Sequence, residues 1–110
     1  MSKFLITALF GLVALLTSAN ALYDGKSSVI SLTTSNFDRL VYGTEHPWMI
    51  EFYAPWCGHC KQLAPEYEKA AENLKGIFRV GAVDCNEQSN QPICSKFDVK
   101  GNFNLHFFFF

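Results

Sequence analysis

Cys57 and Cys60 stand at the junction between an apolar run and a stretch of helical periodicity, and that junction restricts the fold more than any other feature. Before it, Trp48-Met49-Ile50-Glu51-Phe52-Tyr53 is apolar except for one carboxylate, the pattern of a strand covered on both faces. Ala54-Pro55-Trp56 breaks that strand. Beyond it Cys60, Leu63, Ala64, Tyr67, Ala71 and Leu74 recur at steps of three and four, along one side of a long helix that begins at the dithiol. Pro65 removes one backbone donor inside this pattern, so a kink is expected there, and Gly76 closes the helix. A covered strand feeding directly into an amphipathic helix is a unit of an α/β sheet.

The flanking sequence repeats the alternation. Val29-Ile30-Ser31-Leu32 reads as a short first strand, and Ser35-Asn36-Phe37-Asp38 as a helix cap with Leu40 and Val41 behind it and Gly43 ending the element. Phe78 to Asp84 predicts another strand, and Pro92 opens a short helix over Ile93 to Phe97. Phe37, Tyr42 and Phe78 are expected in the core, and Lys61, Lys69 and Lys75 on the solvated side of the long helix. His46 and His106 have no partner that the sequence identifies.

With 110 residues there is room for one domain, and a net charge of −1 points to neither nucleic acid nor an anionic membrane surface as a partner. The N-terminus sets the compartment. Lys3 precedes an apolar run from Phe4 to Leu16, and Ala19-Asn20-Ala21 offers small residues at a cleavage point before Leu22. A run of about a dozen residues is too short to span a bilayer, so residues 1–21 read as a secretory signal, with no stable membrane insertion once it is removed. Cysteines in an oxidising compartment are then free to pair.

Disulfide exchange needs a thiolate that attacks and a second thiol that resolves the mixed disulfide. At a helix N-terminus, unpaired N–H groups and the helix dipole stabilise the Cys57 thiolate, lowering its pKa from about 8.5 towards roughly 3.5 to 7.5. Cys60, one turn further in, is expected to be more buried and to keep its proton until exchange requires it. His59 between them adds a polarisable neighbour that favours the reduced form. The disulfide thereby becomes a better oxidant. Pro55 and Trp56 are expected to form an apolar surface beside Cys57, suited to an unfolded chain.

The stretch Phe52-Tyr53-Ala54-Pro55-Trp56-Cys57-Gly58-His59-Cys60-Lys61, followed by Leu63-Ala64-Pro65-Glu66-Tyr67, resembles the active site of protein disulfide isomerases, within the thioredoxin-fold superfamily. The likeness extends from about Val29 to Gly101. It implies a thioredoxin-like α/β sheet with flanking helices and thiol–disulfide exchange on unfolded or misoxidised client proteins in the endoplasmic reticulum lumen. Cys57 and Cys60 would form the redox-active disulfide, and no dissociable cofactor is implied. In the resembled family a glutamate at the place of Glu51 accepts or relays the proton of the second cysteine. Burial would raise its pKa and suit it to that role. Many members pair that glutamate with a lysine, but Ala82 stands there instead.

For Cys85 and Cys94 a structural disulfide is the natural reading in an oxidising lumen, and some relatives carry a bridge at this place. A zinc site built from all four cysteines is the rival. The second pair lacks the C-x-x-C spacing and Cys57 is needed for exchange, so no metal is expected.

After Gly101 the resemblance fails. The family continues with a cis-proline and a hydrophobic strand, whereas residues 102–110 contain no proline and end in Phe107 to Phe110. Residues 22–101 therefore read as a partial thioredoxin-like domain lacking its last strands and C-terminal helix, with a divergent tail. Two further classes stay open: a non-catalytic client-binding fragment, and a misfolded truncation product.

Overall fold

The computed structural model describes residues 22–99 and 103–108. The expected signal segment and the junction at 100–102 lie outside them. Four strands form one sheet in the order β1-β3-β2-β4: β1 is Ile30–Leu32, β2 Trp48–Tyr53, β3 Arg79–Asp84 and β4 Phe103–Phe108. Helix α1 spans Gly58–Asn73 and links β2 to β3, which run parallel from Trp48 opposite Arg79 to Tyr53 opposite Asp84. β1 lies parallel on the far side of β3. Helix α2, Gln91–Lys96, has Pro92 in its first turn, where the missing N–H costs nothing.

The two-residue period of β2 divides the core. Trp48, Ile50 and Phe52 point to one face, where they pack with Leu32, Phe37, Val41, Val83 and Ile93. Tyr53 packs on the other face with Tyr67 and Ala71 of α1 and with Cys57 and Cys60. Glu51 shares that second face by alternation, and this is how a carboxylate comes to lie with the dithiol. α1 runs through Pro65 without a break, its buried stripe being Cys60, Tyr67 and Ala71. Its C-cap is Leu74, and Gly76 follows with φ +87°, a value that glycine adopts without strain.

Three local expectations are corrected. The Ser35–Asp38 cap does not form. Instead the Thr33 N–H donates to Asn36 Oδ1 at 2.7 Å and the Asn36 N–H to Thr33 Oγ1 at 3.3 Å, ahead of a π-helical turn at Asp38–Tyr42. The reciprocal side-chain logic of a capping box operates two residues earlier than the S-x-x-D spacing predicts. Tyr42 is 43% exposed, with the Lys96 ammonium 5.4 Å from its ring centroid, whereas Phe37 is fully buried.

The third correction concerns the tail, expected to diverge without adding a strand. β4 pairs antiparallel with β2 along its length, from Phe103 opposite Tyr53 to Phe108 opposite Trp48. The tail has no proline or charge to oppose an extended strand, and the free edge of β2 offers it a row of backbone partners. The His106 ring packs against Phe52 and Phe97, with centroids 5.1 and 5.8 Å away.

A candidate dithiol active site

Cys57 is the N-cap of α1, extended at φ −74° and ψ 124°, and its sulfur accepts the backbone N–H of Cys60 at 3.2 Å. It takes the place of the side-chain oxygen that usually caps a helix, so negative charge on the sulfur meets unpaired N–H groups. Neither cysteine is in a disulfide and both are buried, Cys60 completely. The Cys57 pKa is lowered chiefly by the Cys60 thiol donating to it, and the backbone N–H groups of Cys60 and His59 add to this; burial and the Glu51 carboxylate oppose it. Burial, then the bond to Cys57, pushes the Cys60 thiol up to about 12. Two chemically equal thiols are thus made unequal. The outer one ionises the more readily, and the inner one holds its proton.

Glu51 is fully buried at the centre of β2. Burial raises its pKa to about 7, against the lowering effect of a hydrogen bond from Tyr23, whose hydroxyl donates to Oε2 at 2.6 Å. Oε1 has no hydrogen-bond partner among the described residues. Its Cα partner on β3 is Ala82, whose methyl group offers no charge. The Glu51 charge in turn adds to the rise at Cys60 and opposes the fall at Cys57, so carboxylate and dithiol form one electrostatic unit.

His59 projects from the first turn of α1 and is exposed, and it acts on Cys57 through its backbone N–H. Pro55 is buried, but Trp56 is 59% exposed and its indole N–H donates to Asn86 Oδ1 at 3.2 Å. These two line a groove of about 370 Å³ together with Leu22, Lys61 and Asn86. Away from the dithiol, Cys85 and Cys94 are joined in a disulfide with Cα atoms 5.9 Å apart, tying the end of β3 to α2. Closing so short a loop contributes about 2 to 3 kcal/mol in the chain-entropy account.

Sequence reasoning missed Tyr23 and Asn86. Both lie outside the strand–dithiol–helix unit, in segments with no periodicity, and reach the site only by tertiary packing. The one available signal was a tyrosine beside Leu22 in an otherwise polar N-terminal segment.

The thioredoxin family pattern matches residues 28–109. A putative protein disulfide-isomerase of Dictyostelium discoideum is 48% identical over 86 residues, which cover 78% of this chain and 20% of that protein. Protein disulfide-isomerase A6 of Homo sapiens is 48% identical over 84 residues, covering 76% and 19%, and protein disulfide-isomerase like 2-2 of Arabidopsis thaliana 52% over 75 residues, covering 68% and 16%. The chain thus spans about a fifth of the length of these curated relatives. Among solved structures, the Trx4 domain of ERdj5 superposes with a TM-score of 0.69 at 34% identity, covering 76% of this chain and 72% of that one. The helix-capping dithiol, the β1-β3-β2-β4 sheet and the matched residues agree: the chain belongs to the thioredoxin family.

Proposed function

We propose that this chain is a thiol–disulfide oxidoreductase of the protein disulfide isomerase kind, acting on unfolded or misoxidised client proteins in the endoplasmic reticulum lumen. The inequality of the two thiols carries the reading: Cys57 caps the helix with its pKa lowered, and buried Cys60 has its own raised to about 12. The relatives' names give the same reaction class. The leader-like N-terminus and the Cys85–Cys94 bridge favour an oxidising compartment.

In the isomerising direction the Cys57 thiolate attacks one sulfur of a client disulfide. A Cys57–client bond forms and the other client sulfur leaves as a thiolate. That thiolate can attack elsewhere in the client and ultimately displace Cys57. Where the client stalls, Cys60 surrenders its proton to Glu51 and attacks Cys57; the Cys57–Cys60 disulfide forms and the client leaves reduced by two electrons. Run backwards, the same steps oxidise a client dithiol, and Glu51 returns the proton to Cys60. Trp56 and the groove beside it hold an extended apolar segment near Cys57.

Reactivation of scrambled ribonuclease by the chain, beside a Cys57→Ser, Cys60→Ser double variant, tests this. Catalysis by the wild type that falls to background in the variant is expected. Equal reactivation by both would leave only client holding, without exchange.

A further inference from the structure

Among the described residues the two carboxylate oxygens of Glu51 have one hydrogen-bond partner between them. The Tyr23 hydroxyl occupies Oε2 at 2.6 Å, and Oε1 is buried without a hydrogen bond among the described residues. Tyr23 comes from the segment ahead of β1, 28 residues away in sequence, and is 6% exposed. Its ring stands edge-on to Tyr53 with centroids 5.6 Å apart and tilted against Tyr67 at 5.8 Å. The same segment is held to α1 by the Ser28 hydroxyl on Glu72 and is folded on itself by the Lys26 N–H on Asp24 Oδ1 at 2.8 Å.

We infer that Tyr23 is a positioning residue for the proton-handling step. Its hydroxyl, fixed on Oε2, leaves Oε1 to take the Cys60 proton and ties the readiness of Glu51 to the docking of the N-terminal segment. This rests on the exchange reaction proposed above and adds to it the group that tunes the base.

The direction follows from the chemistry. Burial pushes the Tyr23 phenol far above its ordinary range, so it stays protonated and only donates to the carboxylate. A hydrogen bond to a carboxylate is stronger than one to the neutral acid, so the contact favours the ionised, proton-accepting form. Among the described residues the other ionisable groups on this face are Tyr53 of β2, Tyr67 of α1, Cys57 and Cys60, and Asp84 at the end of β3, which lies opposite Tyr53 and lines a hollow with Tyr23 and Glu87. β3 and β4 place Ala82 and Leu105 opposite Glu51, neither ionisable. Against burial, the Tyr23 hydroxyl is the group that holds the Glu51 pKa down. Tyr67 provides a control: its hydroxyl donates to the backbone carbonyls of Gly81 and Met49 at 2.7 and 3.2 Å, and although it feels the Glu51 charge it is not among the groups that shift the Glu51 pKa.

The test loads Cys57 of the 110-residue chain as a mixed disulfide with a chromogenic aromatic thiol and follows release of that thiolate by Cys60 across pH. Wild-type release should climb through the Glu51 titration near pH 7. In Tyr23→Phe the climb should move up by about one pH unit, slowing release about tenfold below the midpoint, while Tyr67→Phe keeps the wild-type profile. An unmoved midpoint in Tyr23→Phe, with the wild type active, overturns the inference. Wild-type release no faster than in Cys60→Ser overturns the exchange reading itself. If Tyr23→Phe does not fold, ring-fluorinated tyrosine supplies the second arm. Its more acidic phenol should lower the midpoint, and no movement counts against Tyr23.

Discussion

At Glu51 the proposed proton transfer and the stability of the fold make opposite demands. The buried carboxyl has a pKa of about 7 against its ordinary 4.5, so the folded chain holds this proton more tightly than the unfolded one. The stability linked to it is complete below about pH 4.5 and is lost as pH rises through 7, a difference of about 3 kcal/mol. Glu51→Gln removes the linkage. It should change stability little at pH 4 and raise it by up to about 3 kcal/mol at pH 8, measured by urea unfolding at the two pH values. It should also flatten the pH profile of mixed-disulfide release. Of this site, the dithiol, Glu51 and Trp56 were legible because each lies in one continuous stretch whose period fixes the facing. Tyr23 was not, because no local pattern states which buried group a distant phenol will reach.

At the level of elements, β3 shows how closely the sheet is packed. Gly81 lies opposite Ile30 on one side and Ile50 on the other. A methyl group there would come 2.7 Å from Leu32 Cδ1 and 3.1 Å from the Trp48 ring, both belonging to fully enclosed side chains. Gly81→Ala should therefore destabilise the fold by about 1 to 3 kcal/mol through overpacking, outweighing the usual benefit of replacing a strand glycine; a lowered urea midpoint at unchanged m-value is the observable. The same scale explains which elements the sequence revealed. β2, β3 and α1 carry strong, uninterrupted periods and are found where those periods predict. The Ser35–Asp38 cap fails because Thr33 and Asn36 exchange side-chain bonds ahead of it, and the turn then begins at Phe37 with no side-chain cap; side-chain chemistry alone does not rank the two overlapping pairs. β4 went unread because a run of aromatic residues has no intrinsic address, and only the open edge of β2 gives it one.

Across the whole molecule, the sheet separates two duties. One face holds Tyr23, Cys57, Cys60, Tyr67 and the buried carboxylate, and the other the apolar residues beneath the π-helical turn and α2, closed by the Cys85–Cys94 bridge. Exchange chemistry can alter charge and bonding on the first face while the second keeps its packing. The two tryptophans fall one on each side of this division: Trp48 is fully enclosed, and Trp56 stands 59% exposed next to Cys57. Each therefore emits light from a different environment, blue for the enclosed indole and red for the wetted one. A disulfide quenches a neighbouring indole, so the red band should dim on oxidation of the dithiol, and the blue band should shift on unfolding of the chain. The protein carries its own two-colour gauge, one lamp for its electrons and one for its shape.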